Sequence, residues 1–219
     1  MTDIGDMYRR ERELMCEVGR AMWSRQLVAA NDGNLSLRLP DGLILCTPTL
    51  VSKGFLRPEL LPVVGLDGQV LVPAEGGLGP SSERKLHLRV YRRRADVGAV
   101  VHAHPLHATA FAVRGEALTA LMLPESVMAM PSVPLAPYAT PSTEALPDSI
   151  EPLLADHSCC LLEQHGALTW GSDLMSAYLQ MERLEYTAAL THLLRQTGGL
   201  RELPPEEVTR IRQICGISY

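Results

Sequence analysis

The sequence predicts a single α/β domain, spanning residues 1–219, built around a mixed and largely antiparallel sheet. Segments with apolar residues at helical spacing alternate with short strands that are joined by hairpin signals. The sequence contains no linker, no repeat of fixed period and no low-complexity tail that would divide it. A chain of 219 residues is long enough to bury a full hydrophobic core.

The composition excludes several classes of protein. With 46% apolar and 21% charged residues, the chain is typical of a soluble globular protein rather than a disordered one. A net charge of −5 argues against a nucleic-acid partner, and the lack of any apolar run of roughly 18 residues argues against a membrane partner. The five cysteines form no Cys-x-x-Cys pair, and the N-terminus lacks the features of a signal peptide. We therefore expect a cytoplasmic protein with free thiols.

The elements of the first half follow from periodicity and turn residues. Apolar residues at helical spacing predict a first helix, which the turn at residues 31–34 ends. Two hairpin signals each separate a pair of short alternating strands. A glycine-rich loop then precedes a helix that Ser81 or Ser82 can cap. The predicted bounds are 7–29 and 81–94 for the helices, and 35–39, 43–46, 60–64 and 69–72 for the strands.

The second half is predicted in the same way. A valine-rich strand leads into His102, and Pro105 opens a short helix. Four prolines make the stretch over residues 118–138 irregular. Asp173 caps a long helix, and Pro204 and Pro205 open the last one. The predicted bounds are 97–101, 159–162 and 167–170 for the strands, and 106–113, 143–154, 174–196 and 204–215 for the helices.

Three of the seven histidines lie within residues 102–107. His102 and His104 are two positions apart at the end of a strand, so their side chains share one face of the sheet. Such a pair either supplies two nitrogen ligands to Zn²⁺ or forms a buried, hydrogen-bonded pair. His165 favours the metal site, because it lies in a turn after a strand and can complete the ligand set. His107 is expected to pack in the next helix or to support the ligands.

Glu83 lies at a predicted helix N-terminus, directly after two serines. Its carboxylate either complements the helix dipole or lies at a pocket, where it can bind a metal or move a proton. Three segments resemble anion-binding loops: residues 33–36, residues 47–54, which end in Lys53-Gly54, and Ser81-Ser82 at the helix start. The chain lacks the GxxxxGK[ST] phosphate-binding motif.

Five motifs occur in an order that resembles the class II aldolase/adducin family, and most of all its L-fuculose-1-phosphate aldolase branch. They extend over nearly the whole chain, and the combination is specific although each motif alone is not. The motifs are Gly33-Asn34-Leu35-Ser36, Thr47-Pro48-Thr49, Ser81-Ser82-Glu83, Val101-His102-Ala103-His104 and Gln164-His165-Gly166.

The resemblance implies a three-layer αβα sandwich and an active site held by named positions. The metal would be Zn²⁺ or another divalent cation, bound by His102, His104 and His165 with Glu83 beside it. The partner would be a small-molecule sugar phosphate, and the assembly a homotetramer with active sites at the subunit interfaces. The residues expected to bind the substrate and its phosphate are Asn34, Ser36, Thr49, Ser81 and Ser82.

The activity implied is that of a zinc-dependent aldolase, a metal-dependent aldehyde-lyase. It would reversibly cleave a ketose 1-phosphate into dihydroxyacetone phosphate and a short aldehyde through a metal-stabilised enediolate. Glu83 would move the proton as the catalytic base. The related ribulose-phosphate 4-epimerases carry Asp at this position, so Glu83 favours the aldolase. The adducin branch, a non-catalytic binding domain, lacks the histidines that this chain retains.

The chain departs from the family pattern at two places. Leu50 stands where the family has glycine in the phosphate loop, and a side chain hinders a close approach of the backbone. The family's aldehyde-side tyrosines are missing from residues 121–125 and from Cys215, with Tyr219 as a partial replacement. These departures keep open an aldolase for a different substrate, such as a 5-deoxy- or 5-methylthio-pentulose 1-phosphate. Two further classes also stay open: a zinc-dependent decarboxylase of a 3-oxo sugar-acid phosphate, and a non-enzymatic binding or scaffold domain.

Overall fold

A computed structural model describes residues 7–130 and 132–216. The α-helices along these residues are Arg9–Ser24 (α1), Arg84–Arg93 (α2), Leu106–Val113 (α3), Pro124–Ala129 (α4), Ala145–Ile150 (α5), Leu174–Gln196 (α6) and Pro205–Cys215 (α7). The strands are Asn34–Arg38 (β1), Ile44–Cys46 (β2), Val63–Val64 (β3), Val70–Val72 (β4), Ala99–Ala103 (β5), Leu135–Ala136 (β6), Cys159–Leu162 (β7) and Gly166–Gly171 (β8). None of the helices in this part of the chain has the length and apolar character needed to cross a membrane.

The strands form one mixed sheet in the order β4-β3-β2-β1-β5-β8-β7-β6. Every neighbouring pair is antiparallel except β6 and β7, which run parallel. The sheet confirms the predicted mixed and largely antiparallel architecture. Short hairpins join β1 to β2, β3 to β4 and β7 to β8, whereas the longer connections carry α-helices or 3₁₀ helices.

Two hydrophobic clusters cover the two faces of the sheet and make the fold a three-layer αβα sandwich. One cluster joins α1, α3 and α6 to the first face, with Met15, Phe111 and Met181 among its buried members. The other joins α2 and α5 to the second face around Trp170. Aliphatic side chains and methionines build most of this core, since the chain contains only two Phe and two Trp.

Several elements agree with the sequence-based prediction. The helix α3 and the strand β7 have the predicted bounds, and α6 begins at Leu174 and ends at Gln196 as expected. Asp173 caps α6 with its side chain, which accepts a hydrogen bond from the backbone N–H of Ser176. The reciprocal bond from the backbone of Asp173 to the Ser176 hydroxyl completes a capping box.

The predicted bounds were wrong at both ends of α1, at the start of α2 and at the start of each strand of the second hairpin. α1 ends at Ser24 rather than residue 29, because Gln26 takes a left-handed conformation that turns Leu27 into the core. α2 begins at Arg84, and neither predicted serine caps it, since Glu83 occupies the N-cap position. The strand predicted over 60–64 is only two residues long, Val63–Val64, because the 3₁₀ helix Pro58–Leu60 precedes it.

Tertiary contacts explain the other differences. The irregular stretch over 118–138 contains α4, which starts at Pro124, where a missing N–H costs nothing, and the edge strand β6. The helix predicted over 143–154 ends at Ile150 and continues as a 3₁₀ turn containing Pro152. β5 runs from Ala99 to Ala103, so His102 lies inside the strand.

Leu50 has a backbone φ of +62°, in the left-handed region that favours glycine. It is the residue that departs from the family's glycine, so the loop keeps the glycine-like conformation with a leucine in it. Packing of the Leu50 side chain does not offset the cost of this backbone conformation, because 76% of the residue is exposed. The loop therefore holds a strained backbone position beside Thr49.

We expect Leu50→Gly to raise the free energy of unfolding by about 1 kcal/mol, because the left-handed region costs an L-residue roughly 1–2 kcal/mol. Urea denaturation followed by circular dichroism measures this change. The matched control is Leu71→Gly, which places glycine at a half-exposed strand position and should lower stability. A Leu50→Gly protein less stable than the parent would contradict the strain at this position.

Candidate metal centre and active site

The site is assembled at one end of the central strands β1, β5 and β8. Asn34 lies directly opposite His102 across the β1–β5 pair, and Ala103 lies opposite Ala167 across the β5–β8 pair. The His102 side chain is fully buried, and its Nδ1–H donates to the carbonyl oxygen of Ala167 at 2.9 Å. A carbonyl can only accept, so Nδ1 carries the proton and Nε2 keeps its lone pair for a ligand.

The other two predicted metal ligands converge on His102. His104 follows β5, and its Nε2 lies 3.1 Å from Nε2 of His102. His165 occupies the turn between β7 and β8, and its ring centroid lies 4.7 Å from that of His102 and 5.1 Å from that of His104. One ring nitrogen from each of the three histidines lies within 4.8 Å of the others. The structure therefore brings together the three histidines that the sequence singled out.

This donor set fits a divalent cation such as Zn²⁺. Nitrogen ligands about 2.1 Å from a tetrahedral zinc lie somewhat over 3 Å apart, close to the separation of the His102 and His104 nitrogens. A metal also needs deprotonated ligands. Burial lowers the pKa of His102 to about 3, although the neighbouring Glu83 opposes this shift. The imidazole of His102 is therefore neutral at neutral pH and ready to coordinate a metal.

Glu83 points its carboxylate at this group from the N-cap position of α2. Its Oε1 lies 3.1 Å from Nε2 of His165, and its Oε2 lies 3.4 Å from Nε2 of His102. The amide of Asn34 donates to Oε2 at 2.7 Å. Burial raises the pKa of Glu83, but the two imidazoles and the Asn34 amide outweigh it and hold the pKa well below its usual range. Glu83 is therefore an ionised carboxylate beside the candidate ligands.

A pocket of about 270 Å³ opens onto these groups. Most of the predicted site residues line it together: Asn34, Thr49, Ser81, Ser82, Glu83, His104 and His165. The Oδ1 atom of Asn34 is buried without a hydrogen-bond partner in the described structure. The hydroxyl of Ser142, which also lines the pocket, donates to that of Ser82 at 2.9 Å. Hydroxyl groups thus line the same pocket as the carboxylate and the imidazoles.

Ser36 is the predicted substrate-binding residue that the structure does not bring to the pocket. It lies two residues further along β1 than Asn34, under α2, where it is 1% exposed. Its hydroxyl forms hydrogen bonds with Nδ1 of His87 at 2.7 Å and with the Tyr91 hydroxyl at 2.8 Å. Ser36 therefore holds α2 against the sheet, which corrects the expectation that it contacts the substrate.

His107 lies outside the ligand group, as expected. Its Nδ1 lies 2.7 Å from Oε1 of Glu185, and the same carboxylate accepts the backbone N–H groups of His107 and Ala108. Glu185 thereby satisfies the first N–H groups of α3 and fixes the helix that follows the His-x-His motif.

Two further residues line the pocket: Asp32, to which the sequence assigned no role, and Lys53, which it included only as part of the anion-binding segment 47–54. Asp32 precedes the Gly33-Asn34 motif, and its Oδ2 lies 3.6 Å from Nδ1 of His104. Lys53 ends the second anion-binding segment, and its presence there was the signal that could have found it. Tyr219, the proposed replacement for the missing tyrosines, lies outside the described residues.

Comparison with known proteins identifies relatives along nearly the whole chain. Residues 13–192 match the family model of the class II aldolase and adducin N-terminal domain. The 3-oxo-tetronate 4-phosphate decarboxylase of Escherichia coli is 34% identical over 97% of this chain and 100% of that protein. The 5-deoxy-D-ribulose 1-phosphate aldolase of Bacillus thuringiensis is 31% identical over 94% of this chain and 95% of that protein. The L-fuculose-1-phosphate aldolase structure from Thermus thermophilus is 33% identical with a TM-score of 0.74, covering 88% of this chain and 99% of that one.

We expect Gly166→Ala to weaken zinc binding at least tenfold. A Cβ atom at position 166 would lie 2.5 Å from the carbonyl oxygen of Ala103 and 2.6 Å from Cδ2 of His104, so His104 or the strand must move. Chelator competition with purified protein measures the zinc affinity. Gly79→Ala is the control, because a Cβ there meets nothing within 4 Å. Equal zinc affinities for both variants would show that this close approach does not position the ligand.

We expect His87 to make the protein less stable as the pH falls from 7 to 5. Burial lowers the pKa of His87 to about 4, whereas an unfolded histidine titrates near 6.5. Between these values the unfolded chain binds a proton that the folded chain does not, so acid favours unfolding by about 2 kcal/mol at pH 5. Urea denaturation at both pH values should show a smaller loss for His87→Gln than for the parent. The control is His192→Gln at an exposed position, which should lose as much stability between pH 7 and pH 5 as the parent.

Proposed function

Because this chain belongs to the class II aldolase and adducin family and is a metal-dependent lyase, we propose that it cleaves a ketose 1-phosphate into dihydroxyacetone phosphate and a short aldehyde. The observation that carries this proposal is the ionised carboxylate of Glu83, which lies between His102 and His165 in a pocket walled by hydroxyl groups. Such a pocket offers a proton-transferring group and hydrogen-bond donors for a phosphate side by side.

The three histidines would hold the metal, and their nitrogen donors suit zinc best. When bound, the cation would act as a Lewis acid that stabilises negative charge developing on the substrate's oxygen atoms. Nδ1 of His102 keeps its ring oriented through the Ala167 carbonyl, so the ligand nitrogen is placed before any metal arrives. Glu83, whose carboxylate oxygens lie 3.4 Å from Nε2 of His102 and 3.1 Å from Nε2 of His165, would be a further ligand or neighbour of the metal.

The proton transfer falls to Glu83. Breaking the bond between C3 and C4 leaves the electron pair on C3 as an enediolate, and the C4 hydroxyl passes its proton to the ionised Glu83 as the aldehyde forms. Glu83, now in its acid form, gives that proton to C3, which yields dihydroxyacetone phosphate and leaves the carboxylate ionised again. The Asn34 amide keeps the carboxylate oriented for this step.

The phosphate would lie against the hydroxyl-bearing residues of the pocket lining. Thr49, Ser81 and Ser82 present donors there without a charged carboxylate among them. The backbone of Ser81 is fixed by its N–H, which donates to the Thr47 carbonyl oxygen at 3.1 Å. This contact ties the two hydroxyl-bearing segments into one surface, as phosphate binding requires.

A zinc-dependent decarboxylase of a 3-oxo sugar-acid phosphate is the second candidate. The relative from Escherichia coli carries that name, and it matches the chain over its full length. Loss of CO₂ from a four-carbon 3-oxo acid with a phosphate at C4 leaves the same enediolate. A carboxylate leaves without giving up a proton, so this reaction needs no base on the departing side. That requirement agrees with a chain that lacks tyrosines at residues 121–125 and has Cys215 near its end.

The experiment that separates these functions uses purified, zinc-loaded protein. A panel of ketose 1-phosphates, including L-fuculose and 5-deoxyribulose 1-phosphates, is tested for release of dihydroxyacetone phosphate. A 3-oxo-tetronate 4-phosphate is tested for release of CO₂. An aldolase should release dihydroxyacetone phosphate from a ketose 1-phosphate and no CO₂ from the 3-oxo-tetronate 4-phosphate. A decarboxylase should give the reverse result. If neither substrate class reacts, the lyase assignment to sugar phosphates is wrong.

Glu83→Gln should keep most of the bound zinc and lose at least a hundredfold in kcat, because the amide cannot exchange a proton. Metal analysis and the product assay are run on the same preparation. The control is Glu144→Gln, which removes an exposed carboxylate paired with Lys85 on the surface. Full turnover by the Glu83 variant would remove this residue from the mechanism.

The expected homotetramer, its active sites at subunit interfaces and the cytoplasmic location stay predictions. Several large apolar side chains on the outer face of α6, such as Leu179, Tyr186 and Leu193, are half-exposed. They support the proposal that another subunit covers this helix. Sedimentation of the purified chain measures the assembly directly.

A further inference from the structure

Lys53 is a buried cation on the pocket wall to which the proposed function gives no role. It is one of two lysines in the chain and is 1% exposed. A 3₁₀ turn, Lys53–Phe55, holds it against α1, where its carbonyl oxygen lies 2.6 Å from the position of a Cβ on Gly19. The ring of Trp23 packs against Gly54 in the same way. This packing fixes the start of the side chain before any ligand binds.

The ammonium group connects the two loops that line the pocket beside it. Its Nζ donates to the carbonyl oxygen of Asn31 at 2.7 Å and to that of Val51 at 2.8 Å. An ammonium group has three N–H donors, so one of the three has no acceptor among the described residues. Lys53 is therefore held at the pocket with an unused donor.

The charge of Lys53 is also uncompensated. Within residues 7–130 and 132–216, no carboxylate forms an ion pair with it. Burial lowers the pKa of Lys53 to about 8, and the more distant Asp32 and Glu83 oppose this shift. A buried charge without a partner is costly, which favours an anion beside it. Arg12 is another fully buried cation that binds carbonyl groups, but it lines none of the pockets described for the chain.

We propose that Lys53 is a substrate-binding residue, and that its ammonium group donates its remaining hydrogen bond to the phosphate of the sugar-phosphate substrate. This proposal rests on the proposed function for the identity of the anion. Lys53 lines the same pocket as Thr49 and lies three residues after Leu50 in the sequence. Leucine at position 50 hinders the close backbone approach that glycine would permit, and the lysine supplies charge to the same loop.

Anion binding tests the contact without requiring turnover. Calorimetry on the zinc-loaded protein measures the affinity for sulfate, a dianion across the whole pH range used, and for dihydroxyacetone phosphate. Lys53→Met should weaken both at least tenfold, because a charge-assisted hydrogen bond to the anion is lost. Lys53→Arg keeps the charge and should retain most of the affinity. Lys85→Met, which removes the other lysine at the surface, should leave both affinities as they are.

A second measurement uses the zinc-loaded parent protein, so it does not depend on how the variants fold. With ¹³C-labelled lysine, the two side chains give two ε-carbon signals whose shifts follow ionisation. Sulfate should raise the titration midpoint of Lys53 from about 8 by roughly one pH unit, since a bound anion favours the charged form. The signal of Lys85 should not move. An unchanged Lys53 midpoint under saturating sulfate overturns the proposal.

The two proposals fail in different ways. If no sugar phosphate reacts but sulfate still raises the Lys53 midpoint, the lyase function is wrong and the anion contact stands. If turnover is normal and Lys53→Met binds sulfate and dihydroxyacetone phosphate like the parent, the contact is wrong and the lyase function stands. A Lys53→Met protein with reduced anion affinity and full zinc content supports the contact, and product release by the parent protein supports the lyase function.

Discussion

The antiparallel register of β1, β5 and β8 is the constraint on which the site depends. It sets Asn34 opposite His102 and Ala103 opposite Ala167, so side chains from three strands meet at one end of the sheet. A shift of one residue in either pair would turn these side chains to the opposite face. Gly166 completes the arrangement, because only a residue without a Cβ lets His104 come so close to β8.

Charge balance in the pocket links the metal to the substrate. Among the described lining residues, Asp32 and Glu83 are carboxylates and Lys53 is the lysine, so the protein alone gives this pocket a net negative charge. A phosphate dianion would be repelled by such a pocket. A divalent cation on the three histidines would reverse the sign, and Lys53 adds a further positive charge to the pocket lining. Metal binding and anion binding should therefore depend on each other.

Capping and turn residues in the sequence predicted the element boundaries that short-range hydrogen bonds fix. They failed to predict the boundaries that tertiary packing determines. Asp173 caps α6 through its own side chain, so the sequence was sufficient to find where that helix begins. α1 ends early for a different reason, since turning Leu27 into the core stabilises more than continuing the helix would. The two-residue strand β6 exists because β7 lies beside it, and no property of its own sequence requires it.

The same distinction separates the site residues. The alternation of side chains along a strand predicts that His102 and His104 share a face, and a motif places Glu83 and His165 near them. The alternation also puts Ser36 on the same face of the sheet as Asn34. It cannot show that α2 covers Ser36 and leaves Asn34 at the strand end. Lys53 is the opposite case, because a lysine in a loop is ordinarily exposed. Only the packing of Gly19 and Trp23 against its turn makes it a buried charge. Residues that recognise a substrate from a loop are thus found through tertiary burial, whereas those on regular strands are found through sequence spacing.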